Sequence, residues 1–198
     1  MKPPSFAALA LNRFGLGARK AQTPPADARR WLLDQFERYQ PRPAAWAAQP
    51  GATALLAEQS QQRLALRDMR AGGAGRDEEI AAARRALRRD ARDDYQSAAG
   101  ARVGSALESD TPFIERLVHF WANHFALSAD KPVVAALAGS FEAEAIRPHL
   151  LGRFERLLLA VERHPAMLIY LDQAQSIGPD SRAAERAAQR RPQQRRGL

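Results

Sequence analysis

Thr111–Ser128, TPFIERLVHFWANHFALS, is the stretch whose reading decides the fold. Pro112 suits a first helical position, where its missing N–H would have no partner anyway, and Asp110-Thr111 ahead of it complete a helix start. At 100° per residue, Phe113, Ile114, Leu117, Val118, Phe120, Trp121 and Phe125 fall in one broad sector, with His124 among them. Glu115, His119 and Asn123 form a separate stripe at i, i+4 and i+8, with Arg116 alongside. The spacing predicts an amphipathic helix to about Phe125. Its aromatic sector, His124 included, would face a core, and the polar stripe would be solvated or paired within itself.

Working outward, helical spacing recurs along the chain and no segment alternates with period 2, so the fold class is all-α. Ser5–Phe14 reads as a short helix capped by Ser5 and ended by Gly15. Thr23-Pro24-Pro25 opens a second helix. Residues 52–70 and 76–107 read as two long helices joined by AGGAG at 71–75, a charged helical hairpin whose apolar stripe is thin. Pro132–Ile146 is predicted helical with Gly139 as its weak point. Pro148 opens a helix to Arg163, and Pro165 another to Leu171. The organisation expected is one helical domain over 1–182, with core helices at 111–172 and a projecting hairpin at 52–107. A basic tail follows at 183–198, read as the truncated end of a longer domain.

The chain has 198 residues, no cysteine and a net charge of +8. Lacking Cys, it offers no disulfide, thiolate nucleophile or zinc–cysteine site. The charge is carried by Arg, and Asp180–Leu198 supplies half of the excess. On the hairpin the arginines alternate with Asp and Glu, and aromatics are not interleaved with them, which argues against nucleic-acid binding. No stretch has the length of a membrane span, and Phe6–Leu11 is too short for a signal-peptide core. Absence of a signal predicts a cytoplasmic protein.

All four histidines, His119, His124, His149 and His164, lie between Thr111 and Asp172. His119 and His124 are five positions apart, about 140° round a helix, and so do not share a metal from one regular helix. A metal at His124 requires His149, His164 or a carboxylate such as Glu142, Glu144 or Asp172 from another helix. His124 has two readings: a neutral core imidazole donating to a carbonyl, or a general acid/base or ligand tuned by burial. Asp172, after the apolar run MLIYL, is a capping or ion-pair group, or a carboxylate delivered into a pocket. The candidate catalytic residues are His124 and Asp172, and the candidate metal ligands His124 and His149. Glu115, His119 and Asn123 stand beside them. No cofactor is indicated. GLGARK at 15–20 lacks the third glycine of a dinucleotide loop and follows a helix.

The blocks ALNRFGLGA, ESDTPFIERLVHFWANHFALS, EAIRPHLLGRFERLLLAVERHPAMLIYLDQAQSIGP and the terminal RRGL resemble, in order, a bacterial family catalogued as domain of unknown function 1800. The resemblance implies the all-α fold and no established activity. Many relatives carry a second histidine where this chain has Ala122, a departure that weakens a His-pair chemistry. It also implies a longer protein with more carboxylates beyond Leu198, frequent export, and a sulfatase-like protein encoded nearby as a partner. Two functions follow as expectations: the N-terminal part of a metal- or cofactor-assisted enzyme, or a non-catalytic scaffold that docks a partner through the hairpin. Apolar faces left uncovered would favour homo-oligomers.

Overall fold

Helix starts follow the short polar residues and the prolines. The computed structural model describes residues 5–17, 22–73 and 75–187. In α1 (Phe6–Phe14), Ser5 Oγ accepts from the Ala8 N–H at 3.2 Å and Gly15 ends the helix, as its sequence predicts. The next helix, α2 (Ala28–Arg38), begins later than its prolines suggest. The Asp27 carboxylate accepts from the N–H groups of Arg29 and Arg30 at 2.9 and 3.0 Å and fixes the start there. A single turn, α3 (Ala44–Ala47), follows Pro43. The hairpin is α4 (Ala52–Ala71) and α5 (Asp77–Glu108), whose first turn carries Asp77, Glu78 and Glu79 at the positive end of the helix dipole.

The second half packs more densely. It comprises α6 (Pro112–His124), α7 (Pro132–Phe141), α8 (Phe154–Arg163) and α9 (Pro165–Tyr170). Among the described residues there is no strand. Two expectations need correction. The helix predicted over 132–146 is α-helical only to Phe141 and continues as a π turn (Glu142–Ile146). The helix predicted from Pro148 is a 3₁₀ turn (Arg147–His149) and a bend, with α8 starting at Phe154. Pro148 has no N–H to extend a helix, and the Gly152 N–H donates to His149 O and closes the bend.

Ile114, Val118, Val134, Leu137, Ile146, Val161 and Ala166 form the centre of a core shared by α4, α6, α7, α8, α9 and the π turn. The C-terminal half of α5 lies along α7 through Ala91, Ala98 and Ala101. Gly139 is therefore no weak point. A Cβ there would collide with the Cβ of Ala98, so the glycine is what lets the two helices approach. On the hairpin, no described residue between Leu66 and Ala91 is buried.

Two helix starts are satisfied from a distance. Thr111 makes no side-chain cap for α6; instead Gln35 of α2, fully buried, accepts from the Phe113 N–H at 2.8 Å. At α4 the Ala52 N–H donates to Glu144 Oε1 at 2.9 Å. These contacts tie α2 to α6 and the π turn to α4. Among the described residues no helix is long and apolar enough to cross a membrane. The predicted tail is helical over 182–187, and from residue 188 on it lies outside the described residues, as does the end of GLGARK.

Candidate functional site

Arg147 is wholly buried at the middle of the molecule. Its Nη1 and Nη2 donate to Glu115 Oε1 and Oε2 at 3.0 and 2.7 Å, a two-point pairing from α6. Its Nε donates to Glu142 Oε1 at 3.0 Å. Trp46 of α3 lies under the guanidinium, with Cζ 4.9 Å from the ring centroid. Arg102 of α5 closes the group, its Nε 3.4 Å from Glu142 Oε2. Two carboxylates thus face two guanidinium groups. Tyr39 of α2 donates from its hydroxyl to Arg147 O at 3.0 Å.

The π turn makes this pairing reachable. In an α-helix, residues five apart point about 140° away from one another, whereas a π turn brings i and i+5 into register. Glu142 and Arg147 are separated by that interval, and the Arg147 N–H donates to Glu142 O. The same turn sends Glu144 to the start of α4 and toward His164, whose Nε2 is 3.5 Å from Glu144 Oε2, outside hydrogen-bonding geometry.

Burial dominates the electrostatics. It raises the Glu142 carboxyl above the usual range, and Arg147 and Arg102 only partly counter it. It pulls Arg147 toward the neutral form, but the Glu115 and Glu142 contacts outweigh that and leave its pKa raised. The Tyr39 hydroxyl is raised by burial as well. Burial lowers His119, and Arg102 pushes it further the same way; its Nε2 is buried with no hydrogen-bond partner. Burial also lowers His164, against the opposing charge of Glu144. A cavity of about 600 Å³ reaches Glu115 and Tyr39 on one side of the network. Another of about 260 Å³ reaches Glu142, Arg102, Tyr95 and Asn123 on the other.

The structure turns α6 relative to the sequence expectation. Ile114, Glu115 and Val118 face inward, so the supposed solvent stripe begins at the best-buried carboxylate of the chain, and Arg147 supplies the counter-charge that permits it. His124 lies on the surface instead of in the core, as does Asn123, and His119 is half-buried. Asp172 is exposed in a left-handed conformation (φ 57°) after α9, and its Oδ1 accepts from Lys131 Nζ at 2.7 Å. It is thus an ion-pair and helix-end residue, apart from His124. His149 sits half-buried in the 3₁₀ turn, and His164 caps α9 by accepting from the Ala166 N–H at Nδ1. Among the described residues no three His, Asp or Glu side chains converge as a metal-binding group. Arg147 and Arg102 were missed as site residues. The only signal for them was a charged residue in an otherwise apolar stretch, EAIRPHLL, and five-residue spacing hides its partner.

On the outside of α6 the aromatics assemble. Trp121 lies 5.1 Å from Phe120, 5.4 Å from His124, 5.7 Å from Phe125 and 5.6 Å from Phe154 of α8, centroid to centroid. Phe120 and His124 are stacked at 6.3 Å. Phe120 is 58% exposed and Phe154 53%.

A family described as "Protein of unknown function (DUF1800)" matches residues 9–184, and the chain belongs to it. No curated protein and no solved structure matches the chain.

Proposed function

We propose that this family member is a helical docking scaffold whose binding element is the aromatic face shared by α6 and α8. The observation that carries this reading is the exposure of Phe120 and Phe154 within one continuous ring cluster. Clustered exposed aromatics have an unfavourable solvation that a partner relieves, and such rings dominate binding energy at interfaces. The rim is basic. Arg116 lies one turn before Phe120, and Arg153 and Arg156 flank Phe154; Arg156 has no ion-pair partner among the described residues. The occupant that fits is an amphipathic helix of another protein, apolar on one face and acidic beside it. The sulfatase-like neighbour implied by the family is the first full-length partner to try.

The test is titration of the chain with an acidic amphipathic helical peptide and with its charge-reversed counterpart. Saturable binding of the acidic peptide, weakened tenfold or more by Phe120→Ser with Phe154→Ser and kept in Arg84→Glu with Arg88→Glu on the hairpin, supports this face. Unchanged affinity after the aromatic substitutions rejects it, and loss on the hairpin variant moves the binding element there. Concentration-dependent self-association removed by the same aromatic substitutions would seat a second copy of the chain on the face instead.

A further inference from the structure

The larger cavity beside the network has a charge opposite to that of the whole chain. It lies between the end of α2, α3 and the end of α5, and its volume of about 600 Å³ is that of a small-molecule site. Glu37, Glu108, Asp110 and Glu115 line it, against Arg38 alone, in a chain of net charge +8. Glu37, Glu108 and Asp110 make no ion pair among the described residues. A second, independent observation comes from Ser105 of α5, which lines the same cavity. It is 3% exposed, and its Oγ has no hydrogen-bond partner. A buried hydroxyl left unpaired is unfavourable unless something supplies the missing contact.

These features ask for one kind of visitor. It must donate hydrogen bonds to an oxygen at the wall, carry positive charge near carboxylates, and place apolar atoms against Pro43, Ala44 and Ala45. We propose that this cavity binds a small aliphatic amine as its ammonium ion, with an N–H on Ser105 Oγ, the charge facing Glu108 and Asp110, and the stem along Ala44 and Ala45. An ammonium has three donors and no acceptor, which matches an acceptor-rich wall. Glu115 is held by Arg147 and contributes shape more than free charge.

The experiment is calorimetric titration of the whole chain at low ionic strength with 1,4-diaminobutane and n-butylammonium. Butyrate (same stem, opposite charge) and tetramethylammonium (a cation without N–H donors) are the controls. Saturable binding of both amines and none of butyrate is expected. Ser105→Ala weakens amine binding tenfold or more while leaving the melting temperature unchanged or higher, because the hydroxyl it removes has no partner. Glu108→Gln with Asp110→Asn, at exposed positions, weakens binding by a similar factor and decides the matter should Ser105→Ala fail to fold. The proposal is overturned by absence of saturable amine binding to the folded chain. It is equally overturned by tetramethylammonium binding as well as the amines, or by an amine affinity unchanged in the Glu108/Asp110 variant.

Discussion

Replacing Arg147 by Met keeps most of the side-chain volume and removes the charge that two buried carboxylates share. Glu115, 1% exposed, and Glu142, 4% exposed, would then lie in the core without it. Arg102 still reaches Glu142 from a partly exposed position, at 3.4 Å, but nothing else in the described network reaches Glu115. Removing one member of a buried pair costs about 3–5 kcal/mol, a large share of the roughly 5–15 kcal/mol of a whole domain. For a chain of this size that is a fall in melting temperature of about 6–20 °C. The assay is urea unfolding followed by far-ultraviolet circular dichroism, run from neutral pH downward. Glu142 is already raised by burial and would rise further without Arg147. A raised folded-state pKa means that the folded chain gains protons first. The deficit should therefore be largest at neutral pH and shrink as pH falls through that raised value toward the unfolded value of about 4.3. Adding Glu115→Gln and Glu142→Gln to Arg147→Met should restore more than half of the loss. A loss below about 1 kcal/mol, the size of an exposed pair, or a deficit independent of pH, would refute the reasoning and mean that water reaches the network.

Gly139→Ala should cost about 1–3 kcal/mol by overpacking against Ala98, and Ala98→Gly in the same chain should recover most of it in the same unfolding assay. Glu144→Ala removes the acceptor for the Ala52 N–H and should cost about 0.5–2 kcal/mol, read as earlier melting of the chain. His119 is lowered by burial, so the unfolded chain takes up its proton first as pH falls. The stability it contributes is complete above about 6.5 and is lost as pH falls through its lowered folded value. His119→Leu should flatten that part of the stability–pH curve, and an unchanged slope would contradict it. Phe120→Ser with Phe154→Ser should change stability by no more than about 0.5 kcal/mol per site and raise solubility, since both rings are more than half exposed.

Much of the scaffold was legible because its signals are local. Ser5, Gly15 and Pro112 mark helix ends by their own chemistry, and the two arms of the hairpin follow from composition and a glycine-rich turn. The rotation of α6 was not legible. A helical wheel assigns inward and outward faces by polarity, and that rule inverts where a buried carboxylate has a counter-charge from 32 positions away. The distant caps were hidden for the same reason: Thr111 looks like a self-sufficient helix start, yet Gln35 does the work from α2. His124 looked like a core residue because aromatic neighbours normally mean burial, and here they form a surface cluster. Asp172 could be read either way, and its ion pair with Lys131 depends on a loop conformation that no spacing encodes.

The π turn at Glu142–Ile146 has a consequence for how this region tolerates changes of length. A π turn is equivalent to one extra residue in an α-helical frame. Deleting a single residue between Phe141 and Arg147 would convert the segment to a regular helix with little local penalty, and would advance everything after it by one helical step of about 100°. Arg147 would then swing off Glu115. Inherited variation in this family should therefore preserve chain length between these two positions more strictly than it preserves the residues inside the interval. A matched pair of one deletion there and one insertion in the Leu150–Arg153 bend would keep α8 in phase and still leave the core arginine misplaced.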